Sequence, residues 1–153
     1  MVAKLLYPSL KDDRELSGQL EKFIATVKQK NEQASQSIAA AETSRIAQTR
    51  KSAKENFAYA LLLGVAEAKL KGESIKELNL SSDIDWEEAY RFCLKIGTEI
   101  ESGMWVNFNN EISRDYGRKF RQLQASLRND ENEILRQQLL NGEIEPVSVT
   151  SLT

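Results

Sequence analysis

The chain has 153 residues, 41% of them hydrophobic and 29% charged, with a formal net charge of −2. That length supports one domain with room for an appended arm, and the near-neutral balance gives no whole-chain attraction to nucleic acid or membrane. Histidine is absent and Cys93 is the only cysteine, which excludes a Cys/His zinc site, an internal disulfide and histidine-based triads or shuttles.

The lone thiol fits a reducing compartment. No apolar run approaches the roughly 20 residues that span a bilayer, and "MVAKLLYPSLKDDRE" has too short an apolar core for a secretory signal. The chain therefore reads as intracellular. Two prolines and seven glycines favour long helices over a turn-rich β fold.

The first periodic segment follows Pro8 and the pair Asp12-Asp13 and carries Leu16, Leu20, Phe23, Ile24 and Val27. This spacing is one face of a helix, with the aspartates suited to its N-terminal end. Residues 31–49 are rich in Ala, Ser and Gln and poor in large apolar groups, which reads as a helical or partly disordered connector. The composition changes near Arg50, so the expected organisation is an N-terminal helical arm and connector over 1–49 and a compact domain over 50–153.

From Arg50 to Lys71 a second face appears in Ala53, Phe57, Leu61, Val65 and Ala68, with Gly72 where a helix wants a left-handed residue. "LNLSSDID" reads as a loop. Asp85 with Glu88 resembles a capping box for a third helix carrying Trp86, Tyr90, Cys93, Leu94, Ile100 and Met104. This helix is expected to end near Gly103 or one turn later, and Asn109-Asn110 mark the next break.

In the segment "EISRDYGRKFRQLQASLRN", successive residues at about 100° gather Ile112, Tyr116, Phe120, Leu123 and Leu127 in one arc. Arg114, Arg118, Arg121 and Arg128 fall on the opposite arc. A short helix over about 131–140 follows, with Asp130 and Glu133 placed as a cap and its reciprocal partner and Asn141-Gly142 as the exit. The fold class is all-α, a compact helical bundle preceded by the arm.

Asp83, Asp85, Glu87 and Glu88 form the one dense acidic cluster. A helix cap and dipole-favoured acids in a first turn account for them without acid/base chemistry. Cys93 lies on an apolar face with nothing local to activate it, so it reads as a small core residue. Trp86 and Trp105, at helical spacing, read as bundle core rather than interface anchors. The arginine stripe is different, because like charges at i,i+4 spacing cost a few tenths of a kcal/mol each. It reads either as a solvated face or as a surface for an acidic partner or a phosphate backbone. Arg50, Lys51 and Lys54 could extend it.

"YGRKFRQLQASLRNDENEILRQQLLNGEIEP" resembles the end of the central domain of transcription elongation factor TFIIS. Tyr116, Arg118, Lys119, Leu127, Asn132, Leu135, Leu139, Gly142, Ile144 and Pro146 fall on that family's pattern. "RKSAKENFAYAL" is similar to the family's opening helix through Arg50, Lys54, Glu55, Ala60 and Leu61. "LKIGTEIESGMW" is similar to its middle helix through Ile100 and Glu101. The resemblance covers residues 50 to about 152.

The resemblance implies a non-catalytic module that binds RNA polymerase II and works in the nucleus. Its contact surface would be Arg114, Arg118, Lys119, Arg121 and Arg128, with Arg50 and Lys54 secondary. The family's stimulation of transcript cleavage needs a cysteine-bearing zinc ribbon with an acidic pair, and nothing like it is present in these residues. No enzymatic activity, cofactor, metal, small-molecule substrate or membrane partner is expected. Regulators that combine a PHD finger, a TFIIS-like domain and a SPOC domain offer one setting, with this chain as an excised part. Two alternatives use the same residues differently: a nucleic-acid-binding bundle reading phosphates through the stripe, and a protein-interaction scaffold presenting the N-terminal amphipathic helix.

Overall fold

The computed structural model describes residues 10, 13–36, 42–75, 78, 80 and 83–151. Among the described residues the chain forms five α-helices: α1 (Arg14–Gln36), α2 (Glu42–Lys71), α3 (Trp86–Asn107), α4 (Arg114–Arg128) and α5 (Glu133–Leu140). No strand is present among them, and an isolated bridge between Ile75 and Leu78 is the one extended pairing. The all-α expectation holds.

α2 is the axle of the bundle, touching α1, α3, α4 and α5. Its middle stretch from Phe57 to Ala68 is buried at every position, so the single apolar face expected from the sequence is corrected to a helix buried all round. Two glycines permit the closest approaches. A Cβ at Gly97 of α3 would lie 2.7 Å from the Lys54 carbonyl of α2, and one at Gly64 would lie 2.8 Å from Leu140 Cδ1 of α5. α2 closes through Gly72 at φ +69, where the Glu73 amide donates to the Ala68 carbonyl at 2.9 Å. This is the six-to-one bond of a Schellman ending.

Asp13 starts α1 by accepting the Leu16 amide at 2.9 Å, while Asp12 lies outside the described residues. Leu16, Leu20 and Ile24 are buried. Phe23 packs against Trp86 and Tyr90 of α3, with ring centroids 6.1 and 6.0 Å apart, and Asn31 donates to the Tyr59 hydroxyl at 2.9 Å. α1 thus shares the core with α2 and α3 through Leu16, Leu20 and Ile24, while Phe23 and Val27 are half-buried. α2 runs unbroken across position 50, where the composition changes. Residues 37–41 of the expected connector lie outside the described residues.

Asp85 caps α3 by accepting the Glu88 amide at 3.2 Å, and the helix runs one turn past Gly103 to Asn107. Asn109 and Asn110 then both take positive φ, 58 and 59, which asparagine tolerates better than most residues. Ser113 caps α4 by accepting the Tyr116 amide at 3.2 Å.

The cap expected from Asp130 and Glu133 is corrected. Asn129, extended at φ −64 and ψ 130, caps a 3-10 turn over Asp130–Asn132 and accepts the Glu131 amide at 2.8 Å. The turn has taken its cap one residue early, which leaves Asp130 inside it, and Glu133 pairs instead with Lys71 of α2 at 2.5 Å. After Gly142 the chain folds back as a second 3-10 segment, Pro146–Ser151, which packs on α3. There Val149 and Thr150 are buried.

Candidate functional site

α4 separates its chemistry cleanly. Tyr116, Leu123 and Leu127 face the core at 1%, 2% and 0% exposure, while Arg114, Arg118, Arg121 and Arg128 are all exposed. Ile112 precedes the helix and is exposed, so the apolar arc begins in effect at Tyr116. Arg118 makes a long 3.7 Å contact with Asp115 one turn before it. Such an exposed i,i+3 pair is worth a few tenths of a kcal/mol. Arg114, Arg121 and Arg128 make no ion pair among the described residues. Lys119, half-buried, stands on the flank of α4 apart from the four arginines.

Arg50 and Lys54 are placed elsewhere. Both turn inward to Glu101 of α3, whose carboxylate is fully buried. Arg50 engages it as a fork, Nε 2.9 Å from Oε2 and a terminal nitrogen 2.8 Å from Oε1, and its guanidinium lies 4.2 Å over the Trp105 ring. Lys54 stands 3.9 Å away. Tyr116 donates its hydroxyl to Oε2 at 2.9 Å. The hydrogen bond to Glu101 holds the Arg50 guanidinium more firmly protonated, and burial, followed by that same carboxylate, pushes the Tyr116 phenol up. One carboxylate therefore joins α2, α3 and α4 beneath the arginine face.

A second buried pair escaped the sequence reading. Arg136 of α5 and Glu67 of α2 are both at 0% exposure, joined by a fork of 2.7 and 2.6 Å. The remaining terminal nitrogen of Arg136 donates to the Leu127 and Asn129 carbonyls at 2.8 and 2.7 Å. These carbonyls belong to the C-terminal end of α4, whose last turn has no helical donors of its own. Glu67 was detectable in principle as the one charge in the apolar run "FAYALLLGVAEA".

The other candidates fall into structural roles. Cys93 is fully buried, and burial alone pushes its thiol up, away from reactivity. Asp83, Asp85, Glu87 and Glu88 are exposed around the start of α3, and no group of three His, Cys, Asp or Glu suited to a metal occurs among the described residues. Trp86 and Trp105 are half-buried and packed against core rings. No helix among the described residues is long and apolar enough to cross a membrane.

The family model described as Transcription factor S-II (TFIIS), central domain, matches residues 1–153. The match includes the arm and connector, beyond the span over which the resemblance was read. No curated protein and no solved structure matches the chain.

Proposed function

The chain belongs to the family of the TFIIS central domain, and on that premise we propose that it is a nuclear RNA polymerase II-binding module that docks through the outward face of α4. The observation that carries this reading is the single-signed row of exposed arginines on a helix whose inner face is locked into the core. Like charges on one face, of which only Arg118 has a long contact to a carboxylate among the described residues, disfavour the free protein slightly and favour an acidic partner. Guanidinium groups suit the task because each can fork onto a carboxylate.

Arg114, Arg118, Arg121 and Arg128 make the contacts, with Lys119 at the flank. Arg50 and Lys54 contribute through Glu101, by holding α4 in place. The module acts by binding. Cys93 alone cannot supply the ligands of a zinc ribbon, so these residues do not by themselves carry the part on which the family's cleavage stimulation depends.

The test is binding to purified core RNA polymerase II at physiological salt. Arg118→Glu with Arg121→Glu is expected to weaken binding at least about a hundredfold, since two charge-assisted contacts are reversed. Helicity and melting temperature should stay close to wild type. Undiminished binding by the double variant removes the arginine face from the reading. A slope of log affinity against log salt that appears with DNA or RNA, and not with polymerase, would favour the phosphate-binding alternative.

A further inference from the structure

Beside the arginine face lies a groove of about 420 Å³ between the N-terminal part of α2 and the first turns of α4. Thr49, Ser52 and Ala53 of α2 line one side, and Ile112, Gly117, Phe120 and Arg121 line the other. No carboxylate lines it among the described residues. Arg121 belongs to the arginine row, and its guanidinium folds back over Gly117, 3.3 Å from where a Cβ would stand.

Gly117 is the informative residue. A glycine inside a helix costs roughly 0.5–1 kcal/mol relative to alanine. At Gly64 and Gly97 the fold requires that cost, because a Cβ would strike a neighbouring helix. At Gly117 it does not, since only the movable tip of Arg121 comes within 4 Å. The missing side chain leaves an opening on the groove and bares helix backbone beside a cation.

We infer that this groove is an anchor site for an acidic polypeptide segment of the partner, with an aliphatic or aromatic side chain seated against Ile112, Gly117 and Phe120 and a neighbouring carboxylate forked by Arg121. The inference rests on the reading of α4 as the docking face and adds what that face recognises. Charge complementarity favours a carboxylate-bearing occupant, as Arg121 lines the groove and none of the lining groups among the described residues is acidic. The rings at the groove are poor platforms for nucleic-acid bases. Tyr116 is 1% exposed, and Phe120 is held edge to face against Phe57 at 5.4 Å.

The experiment measures binding of purified polymerase to the full chain carrying Gly117→Leu, Gly117→Ala, or Arg118→Glu with Arg121→Glu. Leucine fills the groove and leaves the chain's charge unchanged. Its Cβ meets the Arg121 guanidinium at 3.3 Å as that of alanine does, so the alanine variant controls for that contact. The expected effect of leucine is a loss of at least about tenfold, that of one blocked anchor. Alanine should bind within about threefold of wild type, since it narrows the groove by one methyl. Melting curves of both should lie at or above wild type, because both residues are better helix formers than glycine. If Gly117→Leu binds as wild type while the double arginine variant does not, the groove inference falls and the docking face stands. If both bind as wild type, or the wild-type chain does not bind, both readings fall.

A photo-crosslinker on Ile46→Cys, one turn ahead of Thr49 on the α2 wall, identifies the occupant independently of any groove-filling variant. Labelling there is selective because Cys93 is fully buried. In an assembled elongation complex the expected crosslink lies in an acidic polypeptide segment. Crosslinks to transcript or template, or to a segment without carboxylates, overturn the inference.

Discussion

The two glutamates at 0% exposure among the described residues, Glu67 and Glu101, are paired with arginine in opposite styles. Glu67 and Arg136 are both sealed at 0% exposure, and the guanidinium is satisfied by one carboxylate and two backbone carbonyls. Glu101 is sealed equally, yet its Arg50 keeps a quarter of its side-chain surface in solvent and leans on Trp105. The first pair is a closed clasp in which every bond lies between core elements. The second is a surface-reaching knot that shares one carboxylate among Arg50, Lys54 and Tyr116. The difference teaches that a charge inside the bundle is tolerated in two ways, by saturation in the dark or by division among several donors near water.

The sharpest way to break the comparison is to orphan each glutamate. Arg136→Ala leaves Glu67 buried without its cation and should lower stability by roughly 3–5 kcal/mol in urea denaturation. Glu67→Leu with Arg136→Met should recover part of this, but the Leu127 and Asn129 carbonyls then lose their donor, at about 1–3 kcal/mol. If the double variant is no better than Arg136→Ala, the cost resides in the carbonyls rather than in the orphaned carboxylate.

Arg50→Lys keeps the charge and loses the fork and the stack on Trp105. Since Tyr116 and Lys54 still attend Glu101, a smaller loss of about 1–2 kcal/mol is expected. A loss exceeding that of Arg136→Ala would invert the ranking of the two pairs.

The mildest probe is alkali. Burial pushes the Tyr59 and Tyr116 phenols above their ordinary value of 10.0. Above that pH the folded chain retains protons that the unfolded chain releases, so the unfolded state binds fewer protons and stability falls as pH rises. Phenolate absorbance of the native protein should lag and then jump with unfolding. A smooth native titration at the ordinary value would show that these hydroxyls are open to water.

Much of the architecture was legible because apolar spacing and capping residues act locally. Asp85, Gly72, the Asn109-Asn110 break and the two faces of α4 follow from a few neighbouring residues each. The direction of a cation was not legible from charge alone. Arg50 looked like an extension of the arginine row, yet it shares its helical face with Ala53 and Phe57, a spacing that points inward. Glu101 was visible as a family match and not as the hub of a knot, because its partners lie 51 positions before it and 15 after it. Arg136 was hidden for the same reason, its partner being 69 residues away. Asp130 failed as a cap because a neighbouring asparagine served the same turn, a competition that sequence pattern does not decide.

For the docking proposed above, the Glu101 knot has a consequence for the rate and strength of association. By tying the root of α4 to two other helices, it fixes the arginine backbone before any partner arrives. An approaching surface then restricts only side-chain rotamers, and the translational and rotational loss on contact is not compounded by ordering a segment. Release of the knot, as in Glu101→Gln, should therefore appear first as a faster dissociation rate, while the charge that guides the encounter stays unaltered on the outer face of α4.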